Sequence, residues 1–453
     1  ITDHYALAAF FSDLADRGFT GNSLPTKRPP EIIIHRPENL AEMKSLQERM
    51  NALLAPEAQK NFQDLQDRRN RLTASLRKAK EKDKADLQKR LDTIARERAK
   101  LAGEKDLAEF AKLRKLRAEI EKRGRPTMIS QAVKPRTMRV LPRGNWMDES
   151  GPEVPPAVPG FLGAIESDKD RLTRLDLADW LTDPGKGKGK LHARVLANRL
   201  WYLFFGSGLA PDLTDFGGQG TPPEHPELLD NLAWSMLDGK WDLKAFVKDL
   251  LLSRTYRQAP LPDEGFGSLQ VARRLPAEFV RDNTLAVSGL LVREIGGPSV
   301  KPFQPAGYYR HLNFPRRSYK EDPGDAQWRR GLYVHWQRQF LHPMMKAFDA
   351  PSREECTTQR PQSNTPLAAL VLLNDPTFLK AAKAFADKIL SKGGDSFEDR
   401  LSYAFEQALS RSPDAFERNT LAALIEDRNS ESPENWMPVA RAVLNLAETH
   451  LRR

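Results

Sequence analysis

LHARVLANRLWYLFF (residues 191–205), followed at once by GSG (206–208), decides the fold class. Apolar residues recur at three- and four-residue spacings with no proline or glycine among them, and Gly206 and Gly208 then supply the stop of a helix. Working outward, the same pattern returns along most of the chain from residue 171. Residues 171–181, 227–236, 243–253, 278–292, 366–372, 377–390 and 397–409 read as helices, and 435–452 as a closing amphipathic helix. Alternating strands are scarce, which argues against a doubly wound sheet, and no internal repeat is present.

Upstream of residue 171 the pattern changes. Residues 3–16 predict a helix with Tyr5, Leu7, Ala8, Phe11 and Leu14 turned inward, ended by Gly18 and Gly21. A Pro-rich connector follows, with one strand candidate at 32–34. Residues 39–123 are helical by pattern: Phe62, Leu65, Leu72 and Leu76 form one seam, and Leu87, Leu91, Ile94 and Leu101 another. The apolar-free run KEKDK (80–84) predicts the tip of an antiparallel helical hairpin. Its arms, broken at Pro56 and Gly103, would each reach about 60 Å over roughly 40 residues. Residues 127–132 and 136–141 are strand candidates with Lys134 and Pro135 at the turn, before a loop over 148–159. The expected fold class is therefore mainly α: a multi-helix globular domain with a small β element and a long antiparallel helical-hairpin (coiled-coil) insertion. Expected boundaries are 1–38 for an N-terminal helix and connector continuing an upstream domain, and 39–124 for the hairpin arm. The small β segment and Pro-rich loop take 125–163, and the mainly helical C-terminal domain takes 164–453.

The formal net charge is +10, but its location decides its meaning. Residues 57–123 hold 21 Lys and Arg against 13 Asp and Glu, so this one segment carries +8. That reads as a solvated coiled-coil face or as a surface for an acidic polymer or membrane. Only Phe62 and Phe110 stand among the basic residues, with no aromatic series interleaved, so nucleic-acid binding through base stacking is poorly supported. No apolar run approaches the roughly 18 residues of a transmembrane segment. The chain begins at Ile1 with no basic-then-apolar leader, the expectation for a processed product or a fragment. Cys356 is the single cysteine, which excludes an intrachain disulfide, a Cys-based zinc site and covalent attachment of a c-type haem by this chain. It is expected to be a buried, small apolar residue.

Four constellations could carry chemistry. Arg194, Asn198 and Trp201 share one helix face at i, i+4 and i+7, opposite Val195, Leu196, Leu200 and Leu203, and would either line a cleft or form a buried network between helices. Asp215 and His225 flank the Gly-rich stretch DFGGQGTPPEH and could act as an acid/base pair, as catalytic candidates, or simply shape the start of a helix. Phe303, Tyr308, Tyr309 and Trp328 with Arg310, Arg316 and Arg317 could form a carbohydrate or anion surface, or pack under a long loop. Asp349 and Arg353 are expected to pair across a turn that Ser352 caps, with Asn364 marking the start of a Pro-led helix; the three could converge on one binding site. No histidine spacing makes a zinc site, so no metal is expected. DPGKGKGK (183–190) lacks Walker spacing, and an isolated Asp-Phe-Gly is not a kinase signature.

Taken together, TMRVLPRGNWMDESGPEVPPAVP (137–159), RVLANRLWYLFFGSGL (194–209) and the blocks at 215–229, 241–258, 273–291, 296–309 and 331–384 resemble a known family. It is the planctomycete cytochrome-c-domain-associated (PSD/PSCyt-type) family of unknown function. DAPSREEC (349–356) and NTPLAALVLLNDP (364–376) are its identifying stretches here, and ITDHYALAAFF (1–11) also matches, at a point that follows a Cys-x-x-Cys-His segment in relatives. The resemblance implies haem c in an N-terminal portion or partner subunit, none bound covalently by this chain, and an extracytoplasmic location in the periplasm or at the cell surface. It implies a chain that docks on the haem-bearing portion and helps shape an oxidoreductase site for a carbohydrate-like substrate. The alternative is a non-enzymatic scaffold or surface-assembly protein that binds partners through the helical hairpin.

Overall fold

A computed structural model describes residues 1–15, 31–78, 81–258, 272–312, 317–337, 340–425 and 431–452. Gly18, Gly21, Lys80 and Arg316, invoked above, lie outside the described residues. The chain divides into two compact units, residues 1–10 with 138–453, and residues 11–137. It is mainly helical, with two small antiparallel two-stranded sheets among the described residues.

The first helix, α1 (Thr2–Ala9), stops well short of the extent expected from the sequence. Phe10, just beyond it, is fully buried against Val158, Leu177 and Trp180. The inward face is consequently Ala6, Ala9 and Phe10, while Leu7 and Phe11 of the expected face stay exposed.

The unit of residues 11–137 contains β1 (Glu31–Ile34), α2 (Pro37–Leu53), α3 (Pro56–Lys78), α4 (Glu81–Ala99), α5 (Glu104–Glu121) and β2 (Arg125–Met128). Proline opens α2 and α3, where its missing N–H has no intrahelical partner to lose. Helix α2 packs on α5, and α3 on α4. The core gathers Leu46, Met50 and Leu54 with Phe62 and with Leu107, Phe110, Leu113 and Ile120. Phe62 and Phe110 meet edge to face at 5.1 Å. Of the two seams only Phe62, Leu65 and Ile94 are buried; Leu72, Leu76, Leu87, Leu91 and Leu101 are half-buried. Strand β2 pairs with β1, Ile33 opposite Pro126 and Ile32 opposite Thr127, instead of forming a hairpin with residues 136–141. A two-stranded ribbon consists only of edges, so Pro126 is tolerated without its N–H.

In the other unit follow α6 (Arg174–Thr182), α7 (Gly189–Phe205), α8 (Pro226–Asp238), α9 (Leu243–Leu252), β3 (Arg273–Arg274), α10 (Ala277–Ser288) and α11 (Pro343–Ala347). Then come α12 (Pro366–Asn374), α13 (Pro376–Lys392), α14 (Phe397–Leu409), α15 (Ala415–Ala422), α16 (Pro433–Asn445), α17 (Ala447–His450) and β4 (Leu451–Arg452). Side-chain caps explain many of the starts: Thr173 closes a capping box with Asp176, and Asp242, Thr365, Asp375, Ser396 and Asp414 accept from first-turn N–H groups. Two helix ends differ from the expectation. Helix α10 ends at Ser288, and the closing helix breaks after Asn445 because Leu451 and Arg452 leave to pair with β3.

The three largest apolar clusters of this unit join its helices. Phe385, Ile389, Leu401, Phe405, Trp436 and Val443 join α13, α14 and α16. Val280, Met344, Met345, Phe348 and Phe378 join α10, α11 and α13. Trp201, Phe205, Leu229, Met236, Phe246 and Leu250 join α7, α8 and α9. Among the described residues no helix is long and apolar enough to cross a membrane.

Candidate functional site

On α7 the structure favours the network reading over the cleft reading. Asn198 is fully buried, and its carboxamide clamps the backbone of Ala210, donating to the carbonyl and accepting from the N–H, both at 2.9 Å. Gly208 is forced by this clamp, since a Cβ there would lie 2.8 Å from Asn198 Nδ2. Trp201 is buried and stacks on Phe205 with ring centroids 4.0 Å apart. Arg194 Nε reaches Asp230 Oδ1 of α8 at 2.7 Å. These three residues therefore tie α7 to its neighbours. The face named as opposite is the open one: Val195 and Leu196, with Leu191, His192 and Phe216, line an apolar groove of about 400 Å³.

Asp215 is committed to its own turn, where Oδ1 accepts from Gly217 N–H at 2.6 Å. His225 is exposed at the start of α8, and its side chain does not cap the helix; Pro226 takes the first helical position. The structure gives these two residues separate structural surroundings.

Asp349, Arg353 and Asn364 belong to a strap, residues 349–365, that runs between α11 and α12 without regular structure. The expected ion pair between Asp349 and Arg353 is replaced by other partners, because both residues adopt left-handed backbone, φ 60° and 61°. Asp349 binds Arg274 Nη2 and accepts from Ser363 N–H at 2.7 Å and Ser363 Oγ at 2.8 Å. Burial alone would push the Asp349 carboxyl up, but the bonds from Ser363 and Arg274 outweigh it and hold it below the usual range. The Arg353 guanidinium lies 3.7 Å over Trp336, whose Nε1 donates to Ser352 O at 3.1 Å. Arg199 donates to Thr358 O, and Arg360 Nη1 pairs with the buried Glu278 at 2.7 Å. Asn364 is exposed; Thr365 makes the cap and Pro366 opens α12, as the sequence pattern suggests. Cys356 is exposed on the strap, correcting the expectation of a buried residue.

The strap borders a cleft of about 750 Å³, lined by Tyr202, Phe205 and Gly206 at the end of α7, by Arg273 and Arg274 of β3, and by residues 359–362. None of these arginines stood out in the sequence. The only available signal was the Arg-Arg doublet just before a helix start, and doublets of that kind are common.

A second cleft, about 430 Å³, is walled by Tyr308, Tyr309 and Tyr319, with Gln304, Arg310 and Arg317. The aromatic–arginine stretch thus forms a cavity, while Trp328 packs elsewhere, against Leu285 and Ala381. Tyr319, which the sequence reading passed over, meets Tyr309 edge to face at 5.4 Å. Tyr308 and Tyr319 hydroxyls donate to Leu341 O at 2.9 Å and Pro302 O at 2.6 Å, which fixes both rings. Burial raises the phenols of Tyr308, Tyr309 and Tyr319, so all three are neutral. Behind them His342 Nε2 donates to Phe303 O at 2.7 Å, since a carbonyl can only accept. Burial pushes the His342 imidazole down to about 4, despite that bond, with Arg281 adding to the depression. Gln304 is 9% exposed, and its Oε1 has no hydrogen-bond partner.

Among the described residues no group of His, Cys, Asp and Glu is arranged to hold a metal ion. No curated protein and no solved structure matches the chain. A family model described as PSD1, protein of unknown function (DUF1553), matches residues 173–425, a span that runs from α6 through α15 and contains the strap and both clefts. With more than half of its length inside that match, the chain belongs to the PSD1 family of proteins of unknown function.

Proposed function

We propose that this chain is the ligand-binding portion of a larger extracytoplasmic, cytochrome-c-associated assembly of planctomycete type, and that the tyrosine cleft takes its carbohydrate-like substrate. One observation carries the reading: Gln304, buried and with its Oε1 unpartnered, is a lining residue of a cleft walled by three neutral tyrosines. An unpaired buried acceptor costs about 1–3 kcal/mol, and a ligand hydroxyl placed there recovers that loss. Tyrosine rings offer apolar faces to the C–H side of a sugar while their oxygens accept from its hydroxyls. Arg310 and Arg317 add positive charge at the cleft, which suits a sugar acid better than a neutral sugar.

The haem c implied by the resemblance does not fit the residues of this chain. Covalent attachment needs two cysteines and a histidine in Cys-x-x-Cys-His, and Cys356 stands alone. Haem therefore belongs to a haem-bearing portion or partner subunit, and this chain's contribution is binding and orientation of the ligand. Calorimetric titration with neutral and uronic-acid oligosaccharides tests the reading. Tyr309→Ala should weaken binding about tenfold, the scale of one lost aromatic contact. Absence of saccharide binding by the wild-type chain, or equal binding by folded Tyr309→Ala, sinks it.

A second reading has its own observation. Helices α3 and α4 fully bury only Phe62, Leu65 and Ile94 among their described residues; Leu72, Leu76, Leu87 and Leu91 are half-buried and most other positions are polar. Such helices, read as the outer part of an antiparallel coiled-coil hairpin, suit a scaffold that presents a charged surface to a partner subunit.

A further inference from the structure

The cleft beside the strap carries a separate proposal, independent of the saccharide reading because it uses different residues. We infer that this cleft, between the end of α7, strand β3 and residues 359–362, is a binding site for a small dianion presenting oxygen acceptors, as a phosphate ester or a dicarboxylate does.

Charge comes first. Arg273 is half-buried, and its Nη1 and Nη2 donate to Tyr202 O at 3.1 Å and Leu203 O at 2.7 Å. No carboxylate pairs with it among the described residues. Its partner across the β3–β4 ribbon is Arg452, whose guanidinium lies 4.3 Å over the Tyr256 ring and pairs with no carboxylate among the described residues. The end of α7 contributes about half an elementary charge of negative sign. Two guanidiniums with no paired carboxylate among the described residues outweigh it, so the field favours an anion.

Donors come next. A guanidinium has five N–H groups, and the two carbonyls occupy only part of Arg273's set. Arg274 and Arg360 are neutralised by Asp349 and Glu278, so they supply direction more than net charge. Arg274 Nη1 is nevertheless buried without a hydrogen-bond partner. Gln359 and Gln362 are lining residues of the same cleft. Backbone geometry shows that the arrangement is built: Gly206 has φ +95°, and a Cβ there would sit 2.9 Å from Arg273 Nη1. Glycine at this position lets the guanidinium lie across the helix end.

The test uses the full chain at low ionic strength, titrated by calorimetry with inorganic phosphate, with succinate, and with glucose as a neutral control. Saturable binding of phosphate or succinate, and none of glucose, is expected. Binding of phosphate alone assigns a phosphoryl ligand, and of succinate alone a dicarboxylate. Arg273→Gln should weaken the anion about tenfold, the loss expected for one charge-assisted hydrogen bond, whereas Tyr309→Ala should leave it unchanged. Because Arg273 also holds the end of α7, a wild-type measurement runs beside the variant. Phenylglyoxal labelling read by peptide mass should show Arg273 protected about tenfold by the bound anion, with the exposed Arg143, which lines neither cleft, as the unprotected reference. The proposal is overturned if neither anion binds, if folded Arg273→Gln binds as wild type does, or if labelling of Arg273 ignores the anion.

Discussion

One carboxamide, that of Asn198, donates to Ala210 O and accepts from Ala210 N–H, and so fixes the return of the chain after α7. Asn198 was singled out as an amide on a helix face, yet what it does depends on Ala210, which reaches it only because Gly206 and Gly208 turn the chain back. Asp349 and Arg353 suggested a pair by proximity, and left-handed backbone at both sends them to Arg274 and Trp336 instead. Burial gives His342 a consequence that its sequence context does not announce. Its folded value of about 4 lies below the ordinary 6.5, so between those limits the unfolded chain holds a proton that the folded chain lacks. Stability then rises with pH across the window from about 4 to 6.5 and is flat in this contribution above it. A shift of that size corresponds to roughly 3 kcal/mol. Urea denaturation of the wild type and of His342→Gln, whose amide can still donate to Phe303 O, should show the wild type's relative stability falling by about that amount from pH 7 to pH 4. A pH-independent difference between the two would refute the assignment to His342.

At the scale of elements, helices were readable where their stops are local. The run 191–205 ends at Gly206, as its sequence announces, and Thr365–Pro366 opens α12. Elements whose partners are distant were not readable. Strand β2 pairs with residues some ninety positions earlier, and the two-residue strands β3 and β4 exist only through each other. Periodicity within a short window holds no information about such pairings. The sequence predicts two apolar seams on α3 and α4, but full burial on them is confined to Phe62, Leu65 and Ile94 among the described residues. That distribution makes a prediction for the scaffold reading. Replacing residues 66–93 with a short Gly/Asn turn removes no fully buried apolar side chain among the described residues, so the melting temperature should change by only a few degrees. If the helices serve assembly, the trimmed chain keeps the proposed saccharide binding and loses co-isolation with the proposed haem-bearing partner. A trimmed chain that retains that partner eliminates the arm as its docking element.

For the whole molecule, composition located charge without identifying an activity. The +8 of residues 57–123 falls within the unit of residues 11–137, while both clefts lie in the other unit, where net charge is small and local arrangement governs binding. Helical class was legible because apolar spacing repeats over most of the chain; the clefts were not, because each draws residues from segments that meet only on folding. The same separation bears on the redox question. Thioether attachment of haem needs two cysteines beside a histidine, and the one cysteine, Cys356, sits exposed on the strap with no second thiol in the chain. The purified chain, produced in a host that matures c-type cytochromes, should therefore show no Soret band and an intact mass without haem. Freshly isolated native material should show the band together with either a heavier polypeptide or a second subunit. A colourless native preparation would remove the electron-transfer association and leave saccharide binding standing on the tyrosine cleft alone, since Gln304 and its three tyrosines require no haem to bind a ligand.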